Sequence, residues 1–326
     1  MKKKPSLAFI SSLAFFLLGL LALALTVKDK DFGQIAIQLR EANPFWVMMV
    51  ILASVTGSIL RSLRWKQLLS TEGYQPPLKT VFASLLFGYM VNLGIPRLGE
   101  ISRCAAMKKK TGIPFNLLLG SVVAERVIDV LSLLLIILIT IGSIFHRVES
   151  FMKTYIYPEI LPYISVNMVL MALVVTLIVI ALMYYFRHSI RLRTKSITWL
   201  NHFKNGLLSV FQLPRPGLFI LYTVLIWFMY FLTSYFCFFA LPGTAHLGIE
   251  AGLAIVAFGG IARSLPIQAG GFGAFHAVVV EVLFLFAVGQ SAALAVAILI
   301  HGLQFLYNLL FGAASALLLF VRVPER

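Results

Sequence analysis

Apolar residues in this chain come in long unbroken runs, with continuous stretches at 6–27, 169–186 and 218–241. Each is close to or beyond the roughly 20 residues that carry a helix across a bilayer core. The short alternating segments of a transmembrane barrel are missing from the pattern. Hydropathy therefore predicts six spanning helices, at about 7–27, 44–60, 115–145, 163–186, 217–241 and 291–321. Two further stretches, 80–110 and 249–289, are apolar but broken in the middle. The first break reads Asn-Leu-Gly-Ile-Pro-Arg-Leu-Gly-Glu over 92–100, and the second Arg-Ser-Leu-Pro-Ile-Gln-Ala-Gly-Gly-Phe-Gly over 263–273. Backbone freed by Pro and Gly is tolerated at membrane depth only where protein buries it or a polar cavity solvates it. Paired interruptions of this kind point to a binding site between two halves of a transporter.

Composition agrees. Of 326 residues, 60% are hydrophobic and 12% charged, with a mean hydropathy of +0.95, which excludes a soluble domain. The net charge of +15 does not indicate nucleic acid, because the Lys and Arg residues flank the ends of apolar runs. They set orientation instead. If 80–96 crossed the bilayer outright, Arg97, Arg103 and Lys108 to Lys110 would lie outside, against the positive-inside rule. A hairpin that dips in and returns removes that conflict and places both termini in the cytoplasm, as a multi-pass protein of the cytoplasmic membrane. The expected order is span, span, hairpin, span, repeated once.

The predicted architecture is thus an all-α polytopic membrane bundle, one integral membrane domain over 1–326. It forms an inverted-topology repeat with two re-entrant or broken helices, the halves being about 1–150 and 160–321. Two kinked full spans, giving eight crossings, are the alternative. The N-terminal run, with Lys2 to Lys4 ahead of it, imitates a secretory signal but is long enough to stay as an anchor. Apolar residues from Ile197 to Phe211 recur at helical spacing beside Arg191, Arg193, Lys195 and Lys204, as in a helix lying in the headgroup plane. Cys104 and Cys237 show no pairing pattern, and the six histidines form no ligand pair at helical spacing. No metal or cofactor is expected.

Charges inside apolar segments are the candidate chemistry. Glu125, Arg126 and Asp129 sit 10 to 14 residues into the segment that starts at Phe115, about 15–20 Å along a helix and near mid-membrane. Each costs roughly 2.5–3.5 kcal/mol on the insertion scale, so the group needs partners or water. Glu125 and Asp129 share a face at i, i+4, and Arg126 meets Asp129 at i, i+3. A structural ion cluster and a binding site both satisfy that need. In the first broken stretch Arg97, Glu100 and Arg103 repeat every third residue, so that Arg97 and Arg103 are expected to share one face. With Arg126 and Arg263 they give four arginines flanking the two breaks, and guanidinium binds phosphate through two rigid donors. Gly270, Gly271 and Gly273 form a turn that lets backbone approach a ligand and presents free N–H groups at a helix start, although a tight hairpin needs such glycines anyway. His276 follows, as either a proton-responsive or a packing residue. His301 and Asn308 read as interhelical hydrogen-bonding groups.

At these residues the chain resembles the family named for the transmembrane region of lysylphosphatidylglycerol synthase, also called flippase-like integral membrane proteins. Four ordered segments carry the resemblance: Arg61-Ser62-Leu63-Arg64-Trp65, Pro96-Arg97-Leu98-Gly99-Glu100 with Arg103, Glu125-Arg126 with Asp129, and Pro266 with Gly270, Gly271 and Gly273. One position departs, since many members carry a glutamate where this chain has His276. The resemblance implies a membrane protein that moves lipids between leaflets, without the soluble synthase domain of the fused members.

The expected function is therefore a flippase-like lipid translocase whose partner is an anionic membrane lipid, a phospholipid or polyprenyl-phosphate lipid. Glu100, Glu125 and Asp129 would hold the arginines in position. A secondary transporter of a soluble organic anion and a membrane scaffold that recruits a partner enzyme are the rival classes. No catalytic constellation stands at readable spacing, so the chain is not expected to be an enzyme.

Overall fold

The computed structural model describes residues 32–151, 153–154, 209–264 and 273–320, together with Leu21, Ala24 and Gly271. Among these residues there are ten α-helices and no strand: α1 (Phe32–Arg40), α2 (Pro44–Ser70), α3 (Leu78–Gly94), α4 (Leu98–Thr111), α5 (Phe115–Ser143), α6 (Phe145–Phe151), α7 (Pro216–Ala240), α8 (Ile249–Ser264), α9 (Ala274–Phe284) and α10 (Gln290–Phe320). The expected spans at 7–27 and 163–186, and nearly all of the expected in-plane helix, lie outside the described residues. So do Pro266 and Gly270.

Local chemistry sets the helix ends. Asn43 caps α2, its side-chain oxygen accepting from the Phe45 amide at 3.0 Å, and Pro44 opens the first turn. Gly112, at φ +75°, closes α4 behind Lys108, Lys109 and Lys110, whose charges suit the negative end of the helix dipole. By length and composition α2, α7 and α10 can each cross a membrane. α5 is as long, 29 residues, and carries three charges. Its flank exposes Val130, Leu131, Leu134, Leu135 and Leu138 by 52–68%. Such a continuous apolar surface belongs against lipid rather than water. The protein is an all-α polytopic membrane bundle.

The two broken stretches are both pairs of short helices folded against each other, α3 with α4 and α8 with α9. In the first pair the backbones nearly touch: a Cβ on Gly88 would stand 2.7 Å from the Gly99 carbonyl oxygen, and one on Gly99 would strike the Gly88 carbonyl. Small residues permit this approach where apolar burial offers helices little reason to associate. The second pair closes through Gly259, whose missing side chain leaves room for the Phe275 ring.

Packing between elements follows a reciprocal pattern. The longest interface joins α2 to α7. The hairpin α3–α4 packs through α3 on α10, and the hairpin α8–α9 packs through α8 on α5. α4 rests on α5 as α9 rests on α10, and α2 touches α3 and α5 as α7 touches α8 and α10. Exchanging the sets α2–α5 and α7–α10 maps these interfaces onto one another.

Candidate functional site

The charges of α5 are resolved by arginines from two other helices. Glu125 is wholly buried, and its two carboxylate oxygens accept from Arg61 at 2.6 Å, Arg64 at 3.4 Å and Arg103 at 3.1 Å. One turn on, Asp129 receives Arg64 at 2.6 Å, Arg61 at 3.2 Å and its neighbour Arg126 at 3.5 Å. Arg61 and Arg64 stand one turn apart on α2, so two forks meet two carboxylates that are themselves one turn apart on α5. Neutral groups complete the set. Arg61 donates to the Tyr230 hydroxyl at 2.7 Å, Arg64 to Thr223 at 3.3 Å, and the Arg103 guanidinium lies 4.7 Å over the Trp65 ring. Trp65 in turn donates to Ser121 at 3.0 Å. Charge burial on this scale is tolerated because every charge in the cluster has an opposite partner, and Arg61 and Arg64 make further hydrogen bonds while Arg103 has the Trp65 ring.

The tip of the first hairpin joins this cluster from outside. Arg97 precedes α4 with φ +66°, a left-handed conformation that costs energy in any residue with a Cβ. It is held there because the Asn92 side chain accepts from the Gly99 amide at 2.7 Å and donates to Glu100 at 3.4 Å, tying the end of α3 to the start of α4. Glu100 then faces Arg126 at 3.7 Å.

A cavity of about 600 Å³ lies between the hairpins, walled by Arg97, Glu100, Arg126, Asp129 and Arg263 among others. Arg61, Tyr89, Tyr230, Gln304 and Asn308 lead from it into a second recess of about 130 Å³ between α2, α7 and α10. Arg263, near the end of α8, has its guanidinium 4.1 Å over the Phe275 ring, and no carboxylate among the described residues lies in ion-pair reach. Trp227 also lines the cavity, and its indole N–H has no hydrogen-bond partner among the described residues. Among the described residues no group of three His, Cys, Asp or Glu is placed to hold a metal.

Of the residues singled out from sequence, Arg97, Glu100, Arg126, Asp129 and Arg263 share the cavity wall. Glu125 and Arg103 lie behind it. Arg97 and Arg103 do not share a face: Arg97 is exposed and Arg103 is 2% exposed against Glu125. The reason is that Arg97 sits in the left-handed residue before the helix, where helical periodicity does not apply. Gly271 (φ +89°) and Gly273 (φ +85°) adopt the backbone that only glycine takes freely, but neither is among the residues that line the cavity, and Gly271 packs on the Ala262 and Arg263 backbone. His276 is buried, its ring 4.9 Å from that of His301, and only His301 reaches the cavity wall. Asn308 lines the cavity together with Gln304.

The family described as Lysylphosphatidylglycerol synthase TM region matches residues 9–312. The chain belongs to that family. Among individual relatives of this chain are two from Methanocaldococcus jannaschii. The UPF0104 membrane protein MJ1595 is 32% identical over 103 residues, 31% of either chain. The UPF0104 membrane protein MJ1078 is 28% identical over 225 residues, covering 68% of this chain and 91% of the relative. Glycosyltransferase AglD of Haloferax volcanii is 28% identical over 125 residues, 38% of this chain. The matched segments thus cover about a third of MJ1595 and a fifth of AglD. No solved structure matches.

Two residues central to the cluster, Arg61 and Arg64, were not singled out as site residues from their chemistry. Their signal was the arginine-rich segment that carried the family resemblance, at a place where hydropathy ends the span near residue 60. In the structure α2 continues to Ser70 and both arginines are buried.

Proposed function

We propose that the protein is a flippase-like translocase of the cytoplasmic membrane that moves a phosphate-bearing lipid between leaflets. The observation that carries this is Arg263, a cation with no carboxylate partner among the described residues, lining with Arg126 and Arg97 a cavity between two helical hairpins. A guanidinium in such a place is suited to phosphate, which it binds through paired donors while remaining charged when dehydrated. The carboxylates of Glu100, Glu125 and Asp129 hold Arg61, Arg64, Arg103 and Arg126 in position.

The architecture in this proposal is an inverted repeat, with halves of about 1–150 and 160–321, re-entrant hairpins and both termini in the cytoplasm. The reciprocal packing of α2–α5 and α7–α10 supports two equivalent halves. Rocking of one half on the other across the α2–α7 interface would then open the cavity to each side in turn. A lipid guest is favoured over a soluble anion by Val130. This residue lines the cavity and stands on α5 beside Val127, Leu131 and Leu134, which are exposed by 49–57% on the apolar flank. An acyl or prenyl tail can remain in that surface while the headgroup enters. A family named for the synthesis of a phospholipid agrees with such a guest.

The test is leaflet exchange of a labelled anionic lipid in vesicles reconstituted with the full chain. The protein should accelerate exchange, and Arg263→Gln should return it to the protein-free rate. Equal exchange with and without protein overturns the proposal, and saturable uptake of a soluble organic anion in its place would establish the rival transporter.

A further inference from the structure

The cavity face of α5 is shared between the two hairpins, and the two contacts differ in chemistry. Resting on the translocase reading, we infer that a phosphate-bearing membrane lipid passes between α5 and α8. Its phosphate meets Arg126 at a lateral window, its tails stay in the bilayer, and Leu133 against Gly260 is the closure it must pass.

The window lies between the two covers of α5. α4 covers the stretch up to Arg126, with Arg103 on Glu125 at 3.1 Å and Glu100 on Arg126 at 3.7 Å. α8 covers the stretch from Leu133 onward, where a Cβ on Gly260 would stand 2.9 Å from the end of the Leu133 side chain. Past the end of α5, Arg147 pairs at 3.5 Å with Glu250 in the first turn of α8, so the two helices run antiparallel. Val130 stands between the covers, in line with Arg126 and Leu133 at helical spacing. It lines the cavity and is 56% exposed, so the cavity meets the lipid-facing flank there. Arg126 lines the same stretch near the middle of α5, and its side chain is 40% exposed. A guanidinium exposed at such depth is costly unless water or an anion meets it. Its contacts to Glu100 and Asp129 are long, 3.7 and 3.5 Å, which leaves room for a phosphate as a further partner.

The chemistry of the two seams decides which one parts. α4 is tied to α5 by the Arg103 pair with Glu125, whose side chains are 2% and 0% exposed. Among the described residues α5 and α8 share no hydrogen bond or ion pair. The Ser132 and Ser264 hydroxyls donate back into their own helices, to the Ile128 and Gly260 carbonyls at 2.8 and 2.9 Å. Lipid tails are as apolar as leucine, so parting this seam in a bilayer forfeits packing contacts but exposes nothing to water. Gly260 contributes no side chain, and the closure at that level rests on Leu133 alone. The Arg147 pair with Glu250, with side chains 50% and 48% exposed, adds little.

The test locks the seam. In full-length protein carrying Cys104→Ala and Cys237→Ala, Leu133→Cys and Gly260→Cys are joined by oxidation. Leaflet exchange of labelled phosphatidylglycerol in phosphatidylcholine vesicles is then measured before and after reduction. The joined protein should exchange at the protein-free rate, and reduction should restore exchange. Leu133→Ala alone, which removes the closure, should speed exchange by about fivefold. Undiminished exchange by the joined protein overturns this path while the translocase proposal stands. If the double variant stays inactive after reduction, Leu133→Ala decides, and a rate no higher than wild type overturns the path. No exchange by the wild type overturns this inference and the translocase proposal together.

Discussion

Replacing Glu125 by Gln keeps the shape of the side chain and removes the charge on which three arginines converge. In the native cluster that carboxylate accepts contacts of 2.6, 3.4 and 3.1 Å with no exposure to solvent. After the change Arg61 and Arg64 retain Asp129, while Arg103, itself 2% exposed, is left with the Trp65 ring as its main favourable contact. Removing one partner of a buried pair costs about 3–5 kcal/mol, because the remaining charge is neither hydrated nor neutralised. Glu125→Gln should therefore lower the unfolding free energy in bicelles by about that amount. A double-mutant cycle with Arg103→Gln assigns part of the loss to one contact. The second substitution removes the stranded cation, and the two should couple by about 1–3 kcal/mol. A loss below about 1 kcal/mol, with no coupling, would be the exposed-pair result and would refute a sealed cluster.

Three further outcomes follow from the packing. Gly99→Ala should separate α3 from α4, since the added methyl meets the Gly88 carbonyl and the Asn92 side chain; unfolding measurements should register a loss of about 1–3 kcal/mol or more, and a neutral variant would contradict the close approach. Tyr307→Phe removes the 2.8 Å hydrogen bond to Ser58 across the α2–α10 contact and should cost about 1 kcal/mol by the same measurement. Arg263→Gln, which breaks no ion pair among the described residues, should cost no more than the about 0.5–2 kcal/mol of its stacking on Phe275, so that lost transport accompanies a nearly native melting profile.

Much of the bundle was legible in hydropathy. The spans expected at 115–145, 217–241 and 291–321 coincide within a residue or two with α5, α7 and α10, because no charged residue interrupts the last two and the charges of α5 lie well inside it. Both interrupted stretches are paired short helices, as the Pro and Gly clusters implied. The span expected at 44–60 is ten residues too short, since hydropathy treats Arg61 and Arg64 as solvated ends. Only the tertiary fold shows that Glu125 and Asp129 compensate them. The same holds for Arg103. Spacing alone aligned it with Arg97, while its actual direction is set by Trp65 and Glu125, residues distant in the chain. The i, i+3 contact of Arg126 with Asp129 was readable because it is local.

The central claim, an anion site between the hairpins centred on Arg263, is tested most directly by native mass spectrometry of the protein released from membranes rich in anionic lipid. The wild type should retain one tightly held anionic lipid, and Arg263→Gln should lose it while keeping its fold. Equal retention by the two proteins, or retention of zwitterionic lipid alone, would contradict the account.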